Sequence, residues 1–345
     1  MAGRATEEIR DAIRDHGPIT FAEFMERALY GPGGFFEGIP VGTRGDFITS
    51  PHVHPVFGEL LASGIRELHI LLGRPKPLRI AEVGAGDGTL ARQLIGALGG
   101  LELDYRAVEI GAGALEALTA IEAVRPEREL EAPADVIVAN ELLDNLPFRL
   151  IRNGREVRIA LEGDAFVEVL VAPEDELTQQ AAEPGEQIVP VGVLAFVDRL
   201  AETMTRGYAL LIDYGGVGTT GGPVHGYRDH RVVEDVVADP GTTDITSGVD
   251  FGRIAAHARA CGLTAYPSIA QHDALLALGF EDWFRAELSR QHDLLEARVG
   301  LEAVRVWSGR SRASILIDPA ALGRLRWLLL ATPGLPAPGW LGAAQ

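Results

Sequence analysis

Arg79-Ile80-Ala81-Glu82-Val83-Gly84-Ala85-Gly86-Asp87-Gly88-Thr89-Leu90 carries the strongest fold signal in the chain. Its first half has the pattern of a buried strand, its middle is a turn of alternate glycines, and its end opens a helix. Glycine suits such a turn because a Cβ would block both the required dihedrals and a ligand's approach to the backbone amides. Strand, glycine turn and helix recur in several nucleotide-binding folds, so the spacing must separate them. A dinucleotide turn has the pattern G-x-G-x-x-G, whereas here the glycines fall at 84, 86 and 88 and Thr89 follows. A phosphate-cradling loop needs Gly-Lys-Ser/Thr, and the one lysine, Lys76, precedes the strand. Nothing basic stands in the turn, and Glu82 and Asp87 would repel a pyrophosphate. A ligand with positive charge and no phosphate suits it better.

S-adenosylmethionine (SAM) is such a ligand, with a sulfonium, an amino group and a ribose. The E-x-G-x-G-x-G pattern after a strand resembles motif I of the class I SAM-dependent methyltransferases, which makes Glu82, Gly84, Ala85, Gly86 and Gly88 candidate cofactor contacts. Leu103 to Ile110 reads as the next strand, with Glu109 at about the offset where doubly wound folds set a carboxylate on ribose hydroxyls. A carboxylate can accept from both hydroxyls at once. NAD enzymes share this acid, so Glu109 supports the fold without choosing the cofactor.

Strands at 78–83, 103–109 and 135–139 alternate with helical stretches, the signature of a mostly parallel α/β sheet. After Pro147 the pattern changes. Phe148–Arg152 and Glu156–Leu161 flank Asn153-Gly154, a favoured two-residue hairpin turn, and a further strand is expected at 165–171. A helix at about 191–206 leads into the apolar strand Tyr208–Asp213. Further strands are expected at 263–269 and 312–317, with helices at 271–279 and 281–305. Ahead of the sheet, Thr20-Phe21-Ala22-Glu23 has the capping-box pattern of a helix that ends at Gly31-Pro32, and a longer helix is expected from Val56 to Leu72. Residues 1–77 are thus an N-terminal helical segment, too thinly apolar for a core of its own and expected to cover the cofactor site. Residues 78–147 and 191–345 make the α/β core, and 148–190 a small antiparallel insertion.

In such sheets the ligand lies beyond the carboxyl ends of the strands. There, Asn140-Glu141-Leu142-Leu143-Asp144-Asn145-Leu146-Pro147 places two carboxylates and two amides in one loop. Methyl transfer is an in-line displacement, so the protein chiefly positions and desolvates the nucleophile. Glu141 and Asp144 could orient a guanidinium or amine acceptor; for a hydroxyl or carboxyl acceptor one of them would be a general base. Asp213 at the end of its strand is either a ligand contact or a loop cap. Asp46, Thr49 and Ser50 form a third polar loop. His52 and His54 follow it, two apart and on one face if the stretch is extended, and His52 is a candidate base for a small-molecule acceptor.

These blocks, in this order, resemble the MidA-like methyltransferase family, which includes a mitochondrial protein arginine methyltransferase of respiratory complex I assembly. The resemblance rests on Ile19-Thr20-Phe21, Leu29-Tyr30-Gly31-Pro32, Gly45-Asp46-Phe47 with Thr49-Ser50-Pro51, the glycine turn, Asn140-Glu141 with Asp144 and Leu146-Pro147, Ile212-Asp213-Tyr214-Gly215 and Asp244-Ile245-Thr246. It implies a Rossmann-like class I methyltransferase core with helices on both faces, SAM as cofactor held by the turn, Glu109 and the loops bearing Asp46, Thr49, Ser50, Asn140 and Glu141, and an arginine side chain of a partner protein as acceptor. The chain departs from the family at Pro51-His52-Val53-His54, at Thr246-Ser247-Gly248 and at Phe35-Phe36. These positions are expected to face the acceptor, which leaves a small-molecule or peptide O- or N-methyltransferase as the alternative and a non-catalytic SAM-binding assembly factor as a further one.

Composition bounds the rest. The 345 residues carry a net charge of −18, which disfavours nucleic acid and anionic membrane as partners. No stretch approaches 18 uninterrupted apolar residues, so no membrane span is expected. A single cysteine, Cys261, argues against a disulfide or a thiolate zinc site, and without an H-E-x-x-H pattern no metal is expected. The acid-containing N-terminus does not read as a leader, so a cytoplasmic enzyme is expected, with a homo-oligomer left open.

Overall fold

The structure, a computed structural model, describes residues 2–38, 49–177, 182–218, 223–228 and 231–342. The central sheet runs from β1 (Leu78–Val83) through β2 (Leu103–Val108), β3 (Val124–Glu127), β4 (Val136–Asn140) and β5 (Tyr208–Asp213) to β6 (Arg326–Ala331). Its order is β6-β5-β4-β1-β2-β3, parallel except for the antiparallel β5/β6 pair. The strand order reverses between β1 and β4, the switch point where a ligand crevice opens.

Helices cover both faces, as a parallel sheet requires. α1 (Val56–Leu71) and α2 (Thr89–Ala97) lie on one face with the 271–277 helix, burying Phe57, Leu61, Leu90 and Leu94 against Ile80, Val138, Leu210 and Trp327. α3 (Val191–Thr203) and α4 (Phe251–Ala260) lie on the other, burying Val197, Leu200 and Ile254 against Ile137, Leu211 and Leu328. The alternation along β5 explains the division, since neighbouring residues point to opposite faces. No helix among the described residues is long and apolar enough to cross a membrane.

A second core lies beside the ligand edge. Ile9, Phe21, Phe24 and Leu29 pack on Phe148, Leu150, Val157, Ile159 and Phe166 of the inserted sheet, with Phe21 and Phe148 stacked at 5.3 Å. Ile19 also pairs with Ile159, so the N-terminal segment adds a strand to the insertion. Within the N-terminal segment the helices of residues 2–38 therefore pack on the inserted sheet, whereas α1 packs on the main one. Residues 2–38 and the insertion share one buried cluster. The hairpin forms as expected, with Asn153 and Gly154 both at positive φ (52° and 77°). Thr20 caps its helix by accepting from Glu23 N at 3.1 Å.

Three expectations fail near the C-terminus. Residues 312–317 are not a strand; they close a helix (Gly300–Ala313) and form a 3-10 turn (Ser314–Leu316). The last strand is β6, whose run Trp327-Leu328-Leu329-Leu330 is apolar throughout because it is buried on both faces. The 263–269 strand is reduced to Thr264–Ala265 and Ile269–Ala270, both paired with β6. Pro267 between them has no N–H to donate to a ladder. The helix expected over 281–305 is two helices, Phe280–Glu296 and Gly300–Ala313, broken where Arg298 turns to φ 61°.

Candidate active site

The glycine turn leaves β1 with Gly84, Gly86 and Gly88 at φ 74°, 55° and 76°. A Cβ on Gly84 would stand 3.0 Å from Leu142 Cδ1, and one on Gly88 2.5 Å from Ile121 Cδ1. Gly84, Ala85 and Gly86 face a cavity of about 520 Å³ beyond the strand ends, well within the range for small-molecule sites. Gly88, the N-cap of α2, instead packs against Ile121 and Leu118 and does not line it.

Glu109 closes one side, accepting from Gly86 N at 3.0 Å and from Ile110 N at 2.9 Å. Glu82 is buried with Oε2 2.5 Å from the Tyr105 hydroxyl. Burial pushes its carboxyl up to about 8, the tyrosine hydrogen bond opposing and the charges of Glu109 and Asp87 adding to the rise.

The loop after β4 forms the opposite wall. Glu141 sits at φ 53°, in the left-handed region that a side-chain-bearing residue rarely occupies. Its N–H donates to Ile212 O at 2.7 Å, and its Oε1 accepts from Ser50 N at 2.8 Å and Asn140 Nδ2 at 3.2 Å. Burial raises its pKa against these hydrogen bonds. Asp144 is raised well above the usual carboxylate range, by burial first and then by Asp213, Asp244 and Glu141. Asp144 Oδ1 and Asn140 Oδ1 are shielded from solvent and have no hydrogen-bond partner. Such orphaned acceptors, on side chains lining a cavity, need a donor from the ligand.

Asp213 does not line the cavity. It is fully buried and accepts from Leu143 N (2.6 Å), Asp144 N (3.2 Å) and Tyr214 N (2.7 Å). The cap reading is the one realised: Asp213 fixes the loop that presents Asp144. Burial raises its carboxyl to about 7, against the hydrogen bonds it receives.

The N-terminal loop supplies Thr49 and His52. His52 is held on both sides, Nδ1 2.8 Å from Thr49 Oγ1 and Nε2 3.2 Å from both Asp87 oxygens. Burial raises the Asp87 pKa, but the hydrogen bonds from His52 and Thr89 outweigh it and the net shift is downward. Residues 50–53 form a helical turn, so His52 and His54 diverge where an extended stretch would have aligned them. His54 leaves the cavity and meets Trp283 edge-on at 5.1 Å. Ser50 is buried behind Glu141 and reached by Gln271 Nε2 at 3.3 Å. Asp46 lies outside the described residues.

Several cavity residues carried no sequence assignment: Tyr30, Asn145, Tyr214, Asp244 and Arg324. Tyr30 donates to Asn145 O at 3.0 Å and stacks on Phe36 at 5.4 Å, and Asn145 Nδ2 donates to Asp244 Oδ1 at 2.6 Å. Arg324 lies over the Tyr214 ring at 5.3 Å. Asp244 had a signal, being part of the Asp244-Ile245-Thr246 block. Arg324 had none, because it comes from the loop before the unforeseen β6. Of the unusual positions, Phe35, Phe36, Pro51, His52, Thr246, Ser247 and Gly248 line the cavity, whereas Val53 and His54 do not.

The cavity fits SAM on its own geometry. Left-handed glycines open the backbone, Glu109 stands beside them at the end of β2, and Asn140 Oδ1 awaits a donor. A doubly wound sheet with an antiparallel last strand and this site at its switch point defines a class I SAM-dependent methyltransferase. The model of a SAM-dependent methyltransferase family matches residues 60–269, and the chain belongs to that MidA-like family of enzymes. It is 28% identical over 332 residues to the human protein arginine methyltransferase NDUFAF7, mitochondrial, covering 81% of this chain and 74% of that protein. The Xenopus tropicalis protein of the same name is 25% identical, covering 82% and 77%. A crystal structure of a Burkholderia thailandensis protein bound to S-adenosyl-homocysteine superposes with TM-score 0.82 at 27% identity, covering 97% of this chain and 93% of that one. The cofactor is SAM. The cytoplasmic expectation is corrected by the same comparison, because these curated relatives are named as mitochondrial.

Proposed function

We propose that this methyltransferase modifies an arginine side chain of a partner protein. The observation that carries the reading is the acidic lining of the cavity, where burial holds Glu82 and Asp144 protonated until a cation enters. Glu82, Asp87, Glu109, Glu141, Asp144 and Asp244 line it, and Arg324 is the only lysine or arginine among its described lining residues. A cationic acceptor is what such a wall attracts, and a planar guanidinium is what paired carboxylates hold best. The relatives named as protein arginine methyltransferases support the same acceptor.

Bound SAM supplies an electrophilic methyl carbon on a sulfonium. In this reading Gly84, Ala85 and Gly86 offer backbone to the cofactor, Glu82 and Glu109 bind its polar groups, and Thr49 and Asn140 border it. His52 braces the turn through Asp87. Glu141 and Asp144 orient the guanidinium, and the buried Glu141 carboxylate takes the proton that the methylated nitrogen loses. The left-handed backbone at Glu141, a strain of about 1–3 kcal/mol, fixes that carboxylate without further reorganisation. The lobe built from residues 2–38 and the insertion covers the site through Tyr30, Phe35 and Phe36.

Incubating the enzyme with methyl-labelled SAM and arginine-containing protein tests this. Methylarginine after acid hydrolysis is expected, lowered about a hundredfold by Glu141→Gln. Label in a small molecule, with none in protein, overturns the acceptor.

A further inference from the structure

Away from the cavity, α3 and α4 bring three different metal-binding side chains together. His257 and Cys261 are four apart at the end of α4, a spacing that puts both on one helix face. Asp198 of α3 faces them, with Oδ1 2.8 Å from His257 Nε2 and 3.1 Å from Cys261 Sγ. One ligand atom from each residue lies within 4.8 Å of the other two. Among the described residues no other such trio converges.

We propose that Asp198, His257 and Cys261 bind a divalent zinc ion. Tetrahedral zinc with bonds of about 2.0–2.3 Å sets its ligand atoms about 3.3–3.8 Å apart, so the three side chains need open only slightly around it. Thiolate and imidazole together favour zinc over magnesium or calcium, which take oxygen ligands. The thiolate and carboxylate neutralise the dication, and the half-exposed position leaves a fourth ligand place for water. The single cysteine excludes a site of thiolates alone but not this mixed one. The ion would clamp α3 to α4 across one face of the sheet, and α4 starts directly after the cavity wall at Thr246–Gly248.

The test uses the full chain, reduced and stripped with chelator. Cobalt titration should give one equivalent bound with a thiolate-to-cobalt charge-transfer band. Cys261→Ser should remove the band, and His257→Ala and Asp198→Asn should each weaken zinc binding at least tenfold in competition with a chromophoric chelator. Zinc should raise the thermal midpoint of the wild type and not of Cys261→Ser. All three positions are at least partly exposed, and circular dichroism would confirm that the variants fold. Equal zinc affinity in wild type and Cys261→Ser, or no charge-transfer band, overturns the proposal.

Discussion

Glu82→Gln replaces a carboxyl that the folded protein keeps from ionising at a cost, and the size of that cost follows from burial. Glu82 is 3% exposed at the end of β1, and its pKa is pushed from the ordinary 4.5 to about 8. The folded chain therefore keeps a proton that the unfolded chain releases, and stability falls as pH rises from the unfolded value to the folded one. Below pH 4.5 both states are protonated and the group costs nothing. At pH 7 the difference is roughly 3 kcal/mol, and above pH 8 it levels off near ~5 kcal/mol. Glutamine mimics the neutral acid and can still accept from the Tyr105 hydroxyl, so the variant escapes the penalty. Thermal melts of wild type and variant without cofactor would be compared from about pH 4.5 to about pH 8.5. The midpoints should coincide at the acid end and separate by several degrees, variant higher, at the alkaline end, given roughly 2–4 °C per kcal/mol in domains somewhat smaller than this. A gap that stays constant with pH, or a variant less stable at alkaline pH, would show that buried Glu82 carries no such penalty.

Gly86→Val places a β-branched residue at φ 55° beside the Glu109 carboxylate; calorimetry should show SAM binding lost, and affinity within threefold of wild type would contradict the turn's role. Gly88→Ala should destabilise the fold by about 1–3 kcal/mol through its left-handed backbone and the Ile121 contact, read as a lower denaturant midpoint; an unchanged midpoint would count against it. Glu141→Gln keeps an acceptor for Ser50 N but loses the charge, so kcat/KM should fall about a hundredfold at roughly 1.5–3 kcal/mol per charged hydrogen bond. A fall below threefold sinks its assignment. His52→Ala should weaken SAM about tenfold with kcat little changed, because one charged hydrogen bond to Asp87 is worth roughly 1.5 kcal/mol. Loss of kcat with intact SAM affinity would make His52 the base instead.

The parts of the fold visible in the sequence were those whose signal is local. The turn at 84–88 carries its own glycines, the hairpin its Asn153-Gly154, and β1, β2 and β5 their apolar runs. β6 escaped because an unbroken leucine run has no period to distinguish strand from helix. The partnership of the N-terminal helices with the insertion escaped because it joins segments far apart in sequence, such as Phe21 and Phe148. In the site, Glu109 is legible from its spacing, Glu141 and Asp144 from the polar loop after a strand, Asn140 from the family resemblance and His52 from its loop, and all five line the cavity. What could not be read was division of labour: that Ser50 holds Glu141, that Asp213 holds the Asp144 loop, and that His52 is engaged by Asp87. Those are tertiary contacts with no sequence period.

The acidic cavity is proposed to present a partner's arginine to SAM. The most direct measurement is amino-acid analysis of protein labelled from methyl-tritiated SAM, with wild type and Glu141→Gln in parallel. Labelled methylarginine from the wild type, with about a hundredfold less from the variant, is the predicted result. Label released by mild base as an ester, or methylarginine formed equally by both enzymes, would contradict it.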